Sequence, residues 1–243
     1  MYEDVLLKIR PTTLEEYAMG KVATKLYNKT LNEIKKYPEI KIAEYQGSYA
    51  KNTWLTGDSD LDLFLIFDRS TSEKDFKRIS LKVGFNIIND LDGNAYTRYA
   101  DHPFVEGEIG DIKVNIVPCY DSPVIELKSD TDRTPHHTKY MINKLRYEKN
   151  NQVRLLKYFL KVHELYGSDI KTQGFSGYSC EVLIDWYGSF ENVIKSISKI
   201  KEHEIIGVTN KKFDTPIVIV DPVDPNRNLA SAFSKQNIGK FII

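Results

Sequence analysis

The chain has 243 residues, 41% hydrophobic and 28% charged, with 34 basic side chains balancing 34 acidic ones, a composition that suits a soluble globular protein with one large core or two smaller ones. No apolar run nears the ~20 residues that span a bilayer, the start Met1-Tyr2-Glu3-Asp4 is acidic where a secretory leader is basic, and two cysteines, Cys119 and Cys180, read as buried thiols and not as a disulfide or zinc framework. A cytoplasmic protein is expected; zero net charge argues against indiscriminate nucleic-acid binding but allows a local basic face.

Thr13-Leu14-Glu15-Glu16 fits a capping box opening a helix, whose apolar residues recur at helical spacing to about Tyr37. Residues 40–45 read as a first strand, ending at a Gly47-Ser48 turn. Residues 61–67 read as a second strand, an apolar run preceded by turn chemistry at Gly57, Asp58 and Ser59. Side chains alternate along a strand, so Asp60 and Asp62 share one face at its mouth. Two adjacent carboxylates repel, and a divalent cation resolves the conflict; Mg²⁺ is commonly held by one or two carboxylates plus substrate phosphates. Gly47 lets backbone approach a ligand closely, and Ser48 offers a hydroxyl and amides to phosphate oxygens. Together the run from Gly47 to Phe67 reads as a nucleoside triphosphate site.

A helix is predicted over 73–89, and strands over 95–107 and 111–120. In the last, Ile112, Val114 and Ile116 alternate with Asp111, Lys113 and Asn115, so one face is core and the other polar. Residues 121–135, rich in Pro and Asp, read as a linker, which sets domains at 1–135 and 136–243. Helices follow over 150–166 (closed by Gly167), 178–187 and 189–201, then a strand over 217–220 and a helix from Asn228 to the last residue. That final helix lacks a C-cap, as expected of a truncated protein. From Lys139 to Lys171 eight basic residues face three acids, a local excess suited to phosphates.

The wording Gly47-Ser48-Tyr49-Ala50-Lys51-Asn52-Thr53-Trp54-Leu55 with Asp60-Leu61-Asp62 resembles the polymerase β-like nucleotidyltransferase superfamily, and within it archaeal (class I) CCA-adding enzymes. The segments 132–137 (Asp-Arg-Thr-Pro-His-His), 174–181 (Gly-Phe-Ser-Gly-Tyr-Ser-Cys-Glu) and 221–228 (Asp-Pro-Val-Asp-Pro-Asn-Arg-Asn) follow in the order that family uses. The resemblance implies an α+β fold: a mixed sheet with flanking helices forming a catalytic head, then a mainly helical neck, without the family's C-terminal tRNA-gripping part. It implies Mg²⁺ on Asp60 and Asp62, with Asn115 in the place of a third carboxylate. It assigns Gly47, Ser48, Lys51, His137, Lys157 and Tyr166 to the triphosphate, with His136 an alternative to His137. Arg227 would read CTP or ATP, and His102 would stand near the primer end. The implied reaction is attack of the 3′-hydroxyl at the tRNA acceptor stem on the α-phosphate, expelling pyrophosphate.

Asn115 departs from the family pattern, because an amide is a neutral ligand that takes no proton at neutral pH. An engineered inactivation, a naturally weakened enzyme, or rescue by Asp111, Glu106 or Glu108 would each account for it. Two rival readings stay open: a nucleotidyltransferase of the oligoadenylate or cyclic-dinucleotide type, and a catalytically silent nucleotide- or RNA-binding module.

Overall fold

The computed structural model describes residues 2–242 except Ser59, Ala100, Asp101 and Tyr147; the expected turn residue Ser59 therefore lies outside the described residues, as do both chain ends. The chain divides into two compact units, Pro11–Thr138 on one hand and Met1–Arg10 with Lys139–Ile243 on the other. It opens on α1 (Glu3–Ile9), a helix not anticipated from sequence, which belongs to the second unit.

In the first unit α2 (Thr13–Ile34) is capped one residue earlier than expected. Thr12 Oγ1 accepts from the Glu15 amide at 3.2 Å, and Glu15 accepts from the Thr12 amide at 2.7 Å. Glu15 fixes this choice through a tertiary contact, since it also accepts from the Gly57 amide at 2.8 Å and from the Thr56 hydroxyl. Partial burial pushes its carboxyl up, but the donors of Thr12, Gly57 and Thr56 outweigh that and hold it at about 2. The helix thereby pins the turn that leads into the second strand.

β1 (Ile40–Gln46) runs into a single helical turn, α3 (Gly47–Ala50), and β2 (Asp60–Phe67) follows. α4 (Glu73–Asn89) starts where Ser72 accepts from the Asp75 amide. The strand expected over 95–107 is two strands, β3 (Asn94–Arg98) and β4 (Phe104–Ile109), paired antiparallel. Pro103, which has no amide to give a ladder, stands at the break. β5 (Ile112–Tyr120) completes a sheet of order β1-β2-β5-β4-β3, in which only β2 and β5 are parallel.

α2 and α4 cover one sheet face, where Leu61, Leu63, Leu65 and Phe67 of β2 are fully buried with Val114 and Ile116. The other face carries Asp60, Asp62, Lys113 and Asn115, then a small apolar cluster of Phe64, Ile66, Val117 and Cys119. Period-two alternation thus puts the charged residues at one end of the face opposite α2 and α4. Cys119 is fully buried, and burial raises its thiol well above the ordinary range.

The expected linker is structured. Buried Asp132 accepts from the amides of Tyr120, Lys128 and Ser129 at 2.8, 2.9 and 3.1 Å. This knot starts α5 (Arg133–Lys144); Pro135 falls in its first turn, where a missing amide is harmless.

In the second unit α6 (Glu148–Val162) ends before Tyr166, because Glu164 turns left-handed (φ 57°) and Tyr166 forms a bridge with Phe175. α7 (Gly177–Tyr187) and α8 (Phe190–Ile197) are capped by Ser176 and Ser189. Two short parallel strands, β6 (Glu204–Ile206) and β7 (Ile217–Ile219), follow. The last helix, α9 (Lys235–Ile242), begins later than Asn228. Asn228 is occupied otherwise: its Oδ1 accepts from the amides of Ile219 at 2.9 Å and Ala230 at 2.8 Å. The α+β class, the mixed sheet and the mainly helical second unit agree with expectation, and no described helix is long and apolar enough to cross a membrane.

Candidate active site

Ladder register gathers the head's polar residues into one line. Gln46 of β1 pairs with Asp62 of β2, Asp62 with Asn115 of β5, Asn115 with Glu106 of β4, and Glu106 with Tyr96 of β3. Directly paired residues share a face, so the row crosses the whole sheet on the face opposite α2 and α4. Asn115 Nδ2 donates to Asp62 Oδ1 at 2.9 Å, and exposed Asp60 lies two residues before Asp62. Desolvation raises the Asp62 carboxyl above its ordinary value; the Asn115 bond opposes this, the Asp60 charge adds to it, and Lys51 and Lys113 pull down.

Gly47 follows Gln46 with φ +67°, and a Cβ at this position would lie 2.2 Å from Asp62 Oδ2. The bend is therefore pressed against the carboxylate as closely as backbone permits, which only glycine allows. Ser48 sits in the helical turn next to it, and Lys51 closes that turn, buried. His137 is buried in α5, while neighbouring His136 Nε2 lies 2.8 Å from the Ser122 carbonyl. His102 is not brought to the row: its ring stands 5.0 Å from Phe76 and 6.4 Å from Tyr120, on the helix-covered side. Asp101 beside it lies outside the described residues.

The second unit makes a cluster of its own. Lys157 of α6 is 3% exposed, and a Cβ added to Gly177 at the start of α7 would stand 3.7 Å from its Nζ and 3.0 Å from Tyr166 Oη. Lys157 and Tyr166 are thus together at a helix N-terminus. Arg154 is buried as well, so the expected basic face over 139–171 is partly interior. Burial pushes the nearby Cys180 thiol up to about 12, with the Lys157 charge opposing. Elsewhere in this unit Arg227 Nη1 donates to Asp221 Oδ2 at 3.2 Å, and Tyr178 Oη donates to Asp221 Oδ1 at 3.0 Å; Asp221 is fully buried. The expected reader arginine is therefore aimed by an interior carboxylate.

A family model described as "Nucleotidyltransferase domain" matches residues 27–147, and one described as "tRNA nucleotidyltransferase, second domain" matches residues 151–243. The CCA-adding enzyme of Methanocaldococcus jannaschii is 41% identical, over 99% of this chain and 57% of its own length. That of Thermoplasma acidophilum is 40% identical, over 100% and 55%. The chain belongs to the archaeal CCA-adding enzyme family. It spans little more than half the length of these relatives. Among solved structures, one of Cid1, titled for its RNA terminal uridylyl transferase activity, superposes with a TM-score of 0.74 at 12% identity, covering 99% of this chain and 89% of the other. E. coli MS115-1 CdnC with ATP gives 0.69 at 17%, covering 97% and 84%. These likenesses show the fold alone.

Among the described residues no three His, Cys, Asp or Glu side chains are placed to hold a metal ion. Asp60, Asp62 and Asn115 together offer two carboxylates and an amide. Yet Asn115 Oδ1 is buried with no hydrogen-bond partner, because the amide turns its nitrogen to Asp62. An orphaned buried oxygen beside two carboxylates fits a hard cation. Glu106 shares the row, but three donors already hold it. The Tyr96 hydroxyl bonds to it, Arg98 Nη2 donates at 3.0 Å and Lys113 Nζ lies 3.3 Å away. Burial pushes its carboxyl up, but these partners hold it at about 2. Asp111 is an exposed residue of the β4–β5 turn, off the row. Tyr96, Arg98 and Lys113 were not singled out by sequence. Their parity was readable, but the pairing of β3 with β4 that sets them beside Glu106 was hidden by the unbroken strand expected there.

Proposed function

We propose that the chain is the catalytic head and neck of a CCA-adding tRNA nucleotidyltransferase, a cytoplasmic enzyme that transfers CMP and AMP from CTP and ATP to the 3′ end of tRNA. The observation that carries this reading is the close approach of the Gly47 bend to Asp62, in register with position 115. It sets a phosphate cradle against the carboxylates, as α-phosphate attack requires. Gly47, Ser48 and Lys51 hold triphosphate oxygens through amides, a hydroxyl and a charge. Asp60, Asp62 and Asn115 Oδ1 would hold Mg²⁺. When bound, that ion neutralises phosphate charge and, in a two-metal arrangement, lowers the energy of the attacking hydroxylate. The acceptor hydroxyl, releasing its proton to solvent, forms the new P–O bond in line as the bond to pyrophosphate breaks.

Lys157, Tyr166 and His137 remain the assignments for further triphosphate contacts, and Arg227, oriented by Asp221, for reading the base. Asn115 orients Asp62 through its amide donor, which opposes the upward push of burial on that carboxyl, but it supplies no third charge; losing one such electrostatic group typically lowers rate by about 10²–10³. Incubation with labelled CTP and tRNA lacking its CCA end tests the proposal. Label on tRNA supports it, and label in a small product without tRNA supports the cyclic-dinucleotide reading instead. The donation from Asn115 to Asp62 favours one other reading, a silent nucleotide-binding module, which predicts metal-dependent CTP binding without turnover at any enzyme concentration.

A further inference from the structure

The polar row does not end at the metal ligands. Beyond Asn115 it continues through Glu106 to Tyr96 on β3, an edge strand of the sheet. Arg98, two residues on, has the same facing, and its Cζ stands 5.3 Å from the Tyr96 ring centroid. The Tyr96 residue is 40% exposed and the Arg98 side chain 55%, whereas Glu106, which both of them bond, is 5% exposed. An aromatic ring and a guanidinium are thus presented to solvent while their polar ends are fixed by an interior carboxylate. Arg98 and Lys113 bring two cations to Glu106, while Glu108 and Asp60, both in register with Lys113, share the face, so the positive charge is local to the Arg98 edge and not a net property of the face.

Its position along the row gives it a direction. The Gly47 bend approaches Asp62 from the β1 side, and this is where a triphosphate's leaving end rests under the proposed function, on which this inference depends. In-line displacement puts the attacking oxygen opposite the leaving one. The attacking strand must then come over β5, β4 and β3. With neighbouring strands about 4.8 Å apart, Tyr96 lies roughly 14 Å from Asp62, beyond the seat of the attacking nucleotide.

We propose that Tyr96 and Arg98, braced by Glu106, form a platform for the single-stranded 3′ end of the acceptor RNA. Tyr96 stacks a base behind the terminal one, and Arg98 with Lys113 neutralises the intervening phosphate. Stacking on an aromatic face suits a strand whose last bases change during synthesis, because every base has a π-face. Glu106 acts as a positioning residue that holds both rotamers.

The test is fluorescence anisotropy of the whole chain with a short 5′-labelled single-stranded RNA ending in two cytidines, beside calorimetric titration with CTP and Mg²⁺. Tyr96→Ala is expected to weaken RNA binding about tenfold, the scale of one lost base–aromatic stack. Tyr96→Phe, which keeps the ring, should retain most of the affinity. Arg98→Ala should flatten the log–log salt dependence by about 0.7, the value for one phosphate contact on a single strand. CTP affinity should be unchanged in all three. RNA affinity within twofold of the parent in both alanine variants, with melting temperatures showing them folded, overturns the platform. So does a parent chain with no RNA affinity, which leaves the edge strand to a protein partner. If RNA binding depends on Tyr96 but no CMP is transferred, the proposed reaction fails and the platform stands.

Discussion

The two units make their candidate sites by different means. In the head, Asp62, Asn115 and Glu106 are set side by side by backbone ladders, so strand register alone fixes their spacing. In the second unit, Lys157, Tyr166 and Arg227 come from a helix, a bridge and a loop, and interior side chains do the placing. The first arrangement is rigid and leaves no room for added atoms. The second depends on buried polar partners, whose loss frees a long side chain without disturbing the fold.

The strongest way to break this contrast is Gly47→Ala. The new methyl carbon would stand 2.2 Å from Asp62 Oδ2 on a residue with φ +67°, so metal-dependent CTP affinity should fall by about 10²-fold or more, on the order of 3 kcal/mol. Calorimetric titration would measure it, and retained affinity would mean the bend does not cradle phosphate. Next comes Asn115→Asp. Placing a carboxylate at this point of the row should raise CMP incorporation at least about tenfold, given the usual worth of such a group. An unchanged rate would show that position 115 is not a ligand.

In the second unit, Asp221→Asn keeps shape but removes the charge that aims Arg227. A hydrogen bond to a charged group is worth about 1.5–3 kcal/mol, so KM for CTP and ATP should rise roughly tenfold with little change in kcat. A drop in kcat alone would move Arg227 from nucleotide reading to another role.

The smallest effect is expected at Glu15, the bond between α2 and the turn before Asp60. Glu15→Gln should cost about 1 kcal/mol near neutral pH, as for a lost helix cap. Because folding lowers this carboxyl from 4.5 to about 2, its stabilisation is fully present above about pH 4.5. It is lost as pH falls towards 2, where parent and variant should converge in thermal melts.

Much of the head was legible because a short apolar strand with carboxylates at its mouth has a simple periodicity. Asp60, Asp62 and the bend at Gly47 needed only that alternation and turn chemistry. The partnership of Asn115 with Asp62 needed the family likeness, since parallel register between strands more than fifty residues apart leaves no local mark. β3 and β4 were fused into one expected strand because residues 99–103 do not read as a turn, and the row's far end was lost with them. In the second unit, Arg154 and Lys157 counted in the sequence only as members of the basic excess over 139–171, with Lys157 assigned to the triphosphate by the family likeness. Only packing shows that both are interior. The helix expected from Asn228 failed for a related reason: a side chain able to cap a helix was spent on tying down β7.

Both native thiols, Cys119 and Cys180, have no accessible surface and are held protonated by burial. A maleimide dye should therefore ignore them in the folded chain and react at a cysteine introduced on an exposed position. Fluorescent reporters could then be attached to the head and to the second unit one at a time, with the natural sequence otherwise kept, to follow nucleotide and RNA engagement in real time.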